Sequence, residues 1–406
     1  MLENRKNRTR DYWIVFGVLV AVYGLICIMT GMYPWSDRAN VYNSYSLQAR
    51  AWREGRLDLG QDYSYLELAI YGGKYFVSFP PFPSFIFYFL GWIFGEISLD
   101  SFVALASTTI CAVYVMKILY KLGREHVPFW TLYLMVGSNL VFVSVNGWVW
   151  FIAQNLCFTL SIMAIYYAME AEGGTSLFCW ACSVGCRPFQ VVYLPLLVWI
   201  IYKKHKEECP NDTIFTLVKK RWYWAFPTLA VAMVYMWLNY VRFGNIMEFG
   251  HNYLPEFTES ELGQFHISYI TTNWWSLVRL AEYNGESFSY CKFNGMAIWI
   301  SMPIFLSYVW YLIYYIRKGK CKDYGLVALQ VGVMILHGLL ILSHKTLGGW
   351  QFGNRYFIDL LPFAFYTFLK VTPAKGDRLY NYQRYLFIFG GIVNLLGTIV
   401  TYNEWV

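Results

Sequence analysis

The chain has 406 residues, of which 57% are hydrophobic and 14% charged, and the apolar residues form long blocks. This composition excludes an ordinary water-soluble globular protein, because such blocks cannot be buried in a small water-soluble core. The net charge of +7 could suit nucleic acid. However, the Lys and Arg residues lie in short loops between apolar runs, where the positive-inside rule explains them, so we expect no nucleic-acid partner.

Apolar runs of about 20 residues, the length needed to cross a bilayer, recur along most of the chain. They predict an all-α fold, a polytopic transmembrane helical bundle of about 10–11 membrane helices in a single domain, residues 1–406. The first run, residues 12–33, lacks a small-residue cleavage site and is expected to remain as the first span. Five short loops hold 21 of the 32 Lys and Arg residues. This bias places those loops and the amino terminus in the cytoplasm, in a plasma-membrane protein.

The first span is followed by a polar segment, residues 34–81, which we predict to be the first outer loop. Apolar and aromatic residues at helical spacing between 41 and 57 indicate a helix lying on the membrane surface. The Gly72-Gly73 pair indicates a tight turn, and the prolines at 80–83 direct the chain back into the membrane. The next apolar run, residues 82–94, is too short for a full crossing, so we expect a helix that only dips into the bilayer.

After three crossings at 102–120, 127–145 and 149–168, the run 176–202 begins and ends on the cytoplasmic side. Arg187 and Pro188 lie near its middle, and proline lacks the amide hydrogen that a continuous helix needs. We therefore predict two half-helices that meet at Arg187 and raise its guanidinium group toward the outer face. A charge within the membrane is a functional hypothesis by default. The alternative is a structural pair with a carboxylate.

The rest of the chain alternates between crossings and loops. Residues 242–296 form a second long outer loop, in which the amphipathic stretch 266–280 could lie on the membrane surface. Crossings are expected at 222–241, 297–316, 324–342, 355–370 and 384–402. The cysteines at 179, 182 and 186 lie in an apolar run without a second ligand pair, so we expect structural thiols and no metal site.

The first outer loop carries the best candidate for a catalytic base. Asp37 follows the first span directly, and a carboxylate at the membrane interface is suited to accept a proton from a hydroxyl group. The alternative is that Asp37 caps the helix that begins near Arg38.

A second polar cluster, residues 344–356, is predicted on the same side of the membrane. Lys345 and Arg355 could converge there with Arg187, and three cations with few carboxylates between them would compensate the charge of a lipid phosphate. The alternative is that these side chains extend to lipid headgroups.

These residues resemble the C-type superfamily of integral membrane glycosyltransferases. The resemblance is carried by the outer-loop Asp37, the Gly72-Gly73-Lys74-Tyr75 turn with the Pro80-Pro81 pair, the basic residue beside Pro188, and the late segment 352–356 with Pro362. It covers roughly the first 200 residues and the late segment. It implies a bundle like that of the superfamily, with interfacial helices in the first outer loop.

The resemblance also implies a reaction: inverting transfer of a monosaccharide from a polyprenyl-phosphate carrier to a glycan, lipid or protein acceptor at the extracytoplasmic face. Asp37 would be the general base. Arg187, Lys345 and Arg355 would support the leaving lipid phosphate. Further residues are expected to contact substrates: Lys74, Tyr75, His251, Glu256, Trp350 and Tyr356. For His251 and Glu256, an ordinary surface role is the alternative.

The chain departs from the family at one point. Many relatives carry a second acidic residue in the next outer turn, where this chain has Asn146, Gln154 and Asn155, so we expect neither a carboxylate-bound metal nor another cofactor. Two other functions remain open. One is a flippase or transporter of lipid-linked sugars, although matching broken helices in repeated halves are lacking. The other is a polysaccharide polymerase or ligase that takes a lipid diphosphate.

Overall fold

A computed structural model describes residues 2–283, 285–286, 288–289, 292–376 and 380–405. The chain is mostly helical, as the sequence predicts. The helices in the first half are α1 Leu2–Thr30, α2 Asp37–Asn40, α3 Ser44–Arg53, α4 Phe82–Phe94, α5 Asp100–Lys121, α6 Val127–Met135, α7 Leu140–Val143, α8 Val149–Met169, α9 Gly173–Val184 and α10 Leu194–Glu208. Those in the second half are α11 Ile214–Arg221, α12 Phe226–Phe243, α13 Pro255–Thr258, α14 Ser268–Ser276, α15 Ile298–Ser301, α16 Ile304–Arg317, α17 Tyr324–Leu342, α18 Leu361–Val371 and α19 Tyr380–Tyr402.

The remaining regular structure is short. Among the described residues, four 3-10 helices join or extend the helices above, at Pro188–Tyr193, Trp222–Ala225, His251–Tyr253 and Arg355–Leu360. Two small antiparallel hairpins pair β1 Leu68–Tyr71 with β2 Lys74–Val77, and β3 Glu282–Tyr283 with β4 Phe288–Ser289.

Within the described part of the chain, six helices are long and apolar enough to cross a membrane. They are Asn7–Thr30, Asp100–Lys121, Val149–Met169, Ile214–Phe243, Tyr324–Leu342 and Tyr380–Tyr402. The segment Ile214–Phe243 combines α11, the 3-10 helix at Trp222–Ala225 and α12. Their length matters because a helix rises about 1.5 Å per residue and the hydrocarbon core is about 30 Å thick. The six helices agree with the predicted class of helical membrane proteins.

Several of the other expected crossings are interrupted helices. Residues 127–145 form α6 and α7, and residues 297–316 form α15 and α16 on either side of Met302 and Pro303. Residues 355–370 begin as a 3-10 helix and continue as α18, with Pro362 in its first turn. Proline cannot donate the backbone hydrogen bond of a helix interior, so it favours the start of a new helix instead.

Helix α4 has the expected bounds of the short apolar run. It begins after Pro81, contains Pro83 in its first turn and ends at Gly95, whose φ of 69° suits glycine. Its 13 residues span about 20 Å, less than a bilayer core. Its depth in a membrane remains a prediction.

The chain divides into two compact units, each assembled from segments that are distant in sequence. We call residues 1–33, 108–145 and 267–406 the first unit, and residues 34–107 and 146–266 the second unit. In the first unit, the Tyr133 hydroxyl lies 2.6 Å from the Ser307 Oγ, and Asn394 donates a 2.8 Å hydrogen bond to the Ser301 carbonyl. These buried polar pairs link helices that have few charged residues.

In the second unit, α9 and α10 form the predicted hairpin along α8. Ser176, early in α9, donates its hydroxyl to the Ala164 carbonyl of α8. The tip residue Cys186 belongs instead to a buried cluster that includes Ile152 and Cys157, nearer the start of α8. The chain then turns back, and the Trp180 indole of α9 donates a 2.8 Å hydrogen bond to the Gln190 carbonyl, which a straight continuation of the helix would place out of reach. The break at residues 185–187 therefore reverses the chain direction.

Candidate functional site

The tip of the α9–α10 hairpin carries Arg187. This residue is half-buried and has extended backbone angles, φ −141° and ψ 103°, directly before the 3-10 helix that begins at Pro188. Next to it, the Gly185 carbonyl accepts a 2.9 Å hydrogen bond from the Phe82 amide at the start of α4. The hairpin tip thus meets the point where the loop after α1 leads into the short apolar helix.

Arg187 also lies near the buried phenol of Tyr45 in α3. Burial raises the pKa of the Tyr45 phenol well above its ordinary range, a nearby Cys186 adds to the rise, and the positive charge of Arg187 opposes it. Tyr45 packs in turn on Phe79, with ring centroids 6.4 Å apart. A buried, neutral phenol therefore lies near the guanidinium group, and the Phe79 ring packs on that phenol.

Asp37 lies in the same unit, at the first position of α2, with its side chain exposed. Ser36, and not Asp37, is the N-cap residue, because its hydroxyl accepts the Ala39 amide. The alternative role of Asp37 as a helix cap is therefore excluded, and its carboxylate is not used for capping. Asn40 fixes the helix by donating to the Pro34 and Ser36 carbonyls at 2.9 and 2.8 Å.

Gly147 holds the turn before α8 close to α2. Its amide lies 3.1 Å from the Ala39 carbonyl and 2.9 Å from the Ser101 hydroxyl, and both accept its proton. A Cβ atom at position 147 would lie 2.3 Å from the carbonyl carbon of Asp100. Only glycine allows this approach, so the position of α2, and with it of Asp37, depends on this turn.

An aromatic wall follows Asp37 along the surface of the second unit. We use this name for Tyr42, Trp148 and Trp150. The Tyr42 ring centroid lies 4.9 Å from those of Trp148 and Trp150, and the Trp148 indole donates to the Arg38 carbonyl. The Trp150 indole donates a 2.9 Å hydrogen bond to the exposed Glu67 carboxylate. Sequence reasoning missed Glu67, since no local pattern signals its pairing with a residue 83 positions later.

The predicted turn at Gly72-Gly73 is confirmed as the loop of the β1–β2 hairpin, with φ of 57° and 73°. Positive φ at both positions is the conformation that glycine adopts most readily in two-residue hairpins. Lys74 is exposed and its ammonium group lies 3.6 Å from the Asp58 carboxylate. Tyr75 is half-buried against the core of the second unit. Their roles in substrate contact remain predictions.

His251 connects the second long loop to the same group of residues. Its Nδ1 lies 3.2 Å from the Ser78 carbonyl, and its ring packs on Phe79 and Phe257 with centroids 5.8 and 5.1 Å apart. Phe79 is the ring that also touches Tyr45. Glu256, in α13, is exposed.

The late cluster belongs to the first unit. There, Arg355 is only 3% exposed, and its Nε and Nη2 groups donate to the Gly348 carbonyl, the latter at 2.6 Å. Its backbone amide donates to the Gln351 side chain at 2.7 Å. These bonds show that Arg355 closes the loop 348–355.

The other predicted residues of the late cluster lie around this loop. Trp350 packs on Phe142 and Tyr402, with ring centroids 5.9 and 5.6 Å apart. The Tyr356 ring lies beneath the Arg355 guanidinium group at 4.8 Å, and Lys345 is half-buried. Within the first unit, this cluster is therefore a loop closed by Arg355 and lined by aromatic rings.

The predicted site residues thus fall into two groups. Those in the second unit are Asp37, Lys74, Tyr75, Arg187, His251 and Glu256, and those in the first unit are Lys345, Trp350, Arg355 and Tyr356. Comparison with known proteins adds no further constraint, because no protein-family model, no curated protein and no solved structure matches the chain.

Proposed function

We propose that the chain is an inverting glycosyltransferase that moves a monosaccharide from a polyprenyl-phosphate carrier to an acceptor hydroxyl at the extracytoplasmic face of the plasma membrane. The protein has the C-type architecture in this proposal, with its amino terminus in the cytoplasm. The observation that carries the proposal is the α9–α10 hairpin. This hairpin holds Arg187 at the junction between the loop after α1 and the short apolar helix α4.

The hairpin suits an anionic lipid head for an electrostatic reason. A guanidinium group offers paired hydrogen bonds to phosphate oxygens and stays charged at any physiological pH. The buried phenol of Tyr45 lies near Arg187, and the exclusion of water on that side would strengthen the attraction of the guanidinium group for a phosphate group. The apolar side chains of α4 would lie along the polyprenyl chain, since several of them, such as Phe89 and Trp92, are exposed.

The chemical step in this proposal needs one base and one cationic group. Asp37 accepts the proton of the acceptor hydroxyl while the oxygen attacks the anomeric carbon. The bond between that carbon and the phosphate oxygen breaks, and the phosphate leaves with the electron pair. Arg187 stabilises the charge that develops on the phosphate. A single displacement inverts the configuration at the anomeric carbon.

The aromatic wall supports a sugar site beside Asp37. Indole and phenol rings present flat apolar faces with polar edges, and such side chains line many small-molecule sites. Trp150 already holds the Glu67 carboxylate, which we propose as a hydrogen-bond acceptor for a sugar hydroxyl. In the first unit, Arg355 closes the loop 348–355 that carries Trp350, and Lys345 and Tyr356 flank this loop in sequence.

A transfer assay tests the proposal. The purified full chain in liposomes is given radiolabelled polyprenyl-phosphate hexoses and pentoses together with glycan, lipid and peptide acceptors, and labelled product is measured. Asp37→Asn should lower turnover by about 100-fold or more, the usual contribution of a general base. Asp62→Asn, which changes an exposed carboxylate in the same loop, should leave it unchanged. Full turnover by Asp37→Asn would refute the assignment of Asp37 as the general base. Transport of the donor across the membrane without sugar transfer would indicate a flippase.

A further inference from the structure

A group of metal-binding side chains lies in the loop between α10 and α11, apart from the residues discussed above. His205 is in the last turn of α10, Cys209 is the C-cap residue of that helix, and Asp212 follows in the next turn. One side-chain donor atom from each lies within 4.8 Å of the other two. In the described part of the chain, this is the group of His, Cys, Asp or Glu residues that is compact enough for a metal ion.

Local structure brings the three side chains together. His205 and Cys209 are four residues apart, so they lie on one face of the helix end. The Asp212 amide then donates a 3.1 Å hydrogen bond to the Cys209 carbonyl, which turns the carboxylate back toward the helix. As a result, the Asp212 Oδ2 lies 2.7 Å from the His205 Nε2. Thr213 caps α11 immediately afterwards and fixes the exit of the chain.

The distances suit a small divalent ion after a modest adjustment. Bonds of about 2.0–2.3 Å in a tetrahedral zinc site place ligand atoms roughly 3.3–3.8 Å apart. The imidazole and carboxylate must therefore separate by about 1 Å or less, and the most distant pair must close by about 1 Å. His205 is 7% exposed, so its ring is held in place by the surrounding protein and does not need to be ordered by the ion.

A simple ion-pair network is the competing explanation. The Lys220 ammonium group lies 2.8 Å from the Asp212 Oδ2 and 3.1 Å from the Oδ1. Hydrogen bonds from Lys220 and His205 lower the pKa of Asp212 and keep its carboxylate ionised. However, the Lys220 side chain is 54% exposed, so its ammonium group can move into solvent. The network also leaves unexplained why a thiol lies beside the imidazole and the carboxylate.

We propose that His205 Nε2, Cys209 Sγ and one Asp212 oxygen bind a divalent transition-metal ion of the zinc type, with a fourth position open to water. Imidazole, thiolate and carboxylate are the ligand types that zinc accepts. Binding displaces the thiol proton of Cys209, so it weakens as pH falls. The ion clamps the end of α10 to the turn before α11. The Lys220 ammonium group competes with the metal ion for the Asp212 carboxylate.

Cobalt spectroscopy tests this site in the full-length protein, purified without an affinity tag. Co²⁺ should bind one equivalent per chain and give a thiolate-to-cobalt absorption band in the near ultraviolet, and Zn²⁺ should remove that band. Cys209→Ser should abolish the band, and His205→Ala and Asp212→Asn should each weaken binding by about 100-fold, at least as much as loss of an outer-shell partner does. Lys220→Gln should strengthen binding, since it removes the competitor.

Two matched variants control for general damage. Cys321→Ser removes a thiol elsewhere in the chain, and Glu207→Gln neutralises a nearby carboxylate that pairs with Lys204. Both should bind Co²⁺ as the wild type does. The proposal is overturned if wild-type protein shows no saturable Co²⁺ band, or if the band persists in Cys209→Ser. Because the readout is metal binding alone, the result is independent of glycosyl transfer.

Discussion

Replacing Gly147 by alanine is the sharpest test of the packing that positions Asp37. The added Cβ would lie 2.3 Å from the carbonyl carbon and from the Cβ of Asp100, and 2.4 Å from the Ser101 amide nitrogen. These atoms belong to the backbone and the first side-chain carbon at the start of α5, so they cannot rotate away. The turn must therefore retreat by about 1 Å from α5, the usual response to overpacking.

The energetic cost follows from this displacement. Overpacking of this kind destabilises a protein by about 1–3 kcal/mol. The retreat also breaks the hydrogen bonds from the Gly147 amide to the Ala39 carbonyl and the Ser101 hydroxyl, which are 3.1 and 2.9 Å long. A broken hydrogen bond costs about 1 kcal/mol. Both bonds share the single Gly147 N–H and count as one, so we expect Gly147→Ala to lower the free energy of unfolding by about 2–4 kcal/mol in total.

Unfolding in mixed micelles with a rising fraction of dodecyl sulfate, followed by tryptophan fluorescence, measures this change. Gly24→Ala is the matched control, because a Cβ at position 24 of α1 meets nothing within 4 Å. It should leave stability unchanged or raise it by up to about 1 kcal/mol, since alanine favours helix more than glycine does. Unfolding of Gly147→Ala at the wild-type midpoint would refute the close contact with α5.

Three other predictions test the hairpin, the first unit and the topology. Trp180→Phe removes the donor to the Gln190 carbonyl inside the α9–α10 hairpin and should destabilise the protein by about 1–3 kcal/mol in the same unfolding assay. Arg124→Gln should lower the free energy of unfolding by about 2 kcal/mol or more, because the buried guanidinium group donates hydrogen bonds to the Leu369 and Pro373 carbonyls. Lys74→Cys should react with an impermeant maleimide added to intact cells, because the proposed topology exposes the β1–β2 hairpin outside.

Exposed residues of the same types are the controls for these substitutions. Trp237→Phe and Arg10→Gln change side chains that are largely exposed, and both should unfold as the wild type does. Equal stability of Trp180→Phe and wild type would contradict the hairpin contact, and the same result for Arg124→Gln would contradict its role. Labelling of Lys74→Cys only after cell lysis would contradict the proposed orientation.

The features that sequence predicted well have local causes. The break at Arg187 follows from Pro188, the bounds of α4 follow from its flanking prolines and Gly95, and the β1–β2 turn follows from Gly72-Gly73. In each case, the backbone preference of a residue decides the structure whatever it packs against. The sequence also indicated apolar runs of spanning length. It did not reveal that residues 127–145 and 297–316 are divided into shorter helices.

The features that sequence missed depend on residues far apart in the chain or on choices between equivalent neighbours. Ser36 and Asp37 are both good N-cap residues, and only the structure assigns the cap to Ser36. The contact between Trp150 and Glu67 has no local signature. The bonds of Arg355 to the Gly348 carbonyl depend on a turn whose φ is 98° at Gly348, a conformation that spacing alone does not specify.

Donor binding and donor turnover, measured separately, test the central claim most directly. Equilibrium binding of a fluorescent polyprenyl-phosphate sugar and single-turnover transfer are compared for wild type, Asp37→Asn, Arg187→Lys and Arg187→Gln in liposomes. We predict that Asp37→Asn binds the donor normally but transfers it about 100-fold or more slowly. Arg187→Gln should weaken binding by about 10–100-fold, with Arg187→Lys between it and wild type, because lysine keeps the charge and loses the paired hydrogen bonds. Wild-type donor binding by Arg187→Gln would contradict the claim that the hairpin tip holds the lipid phosphate.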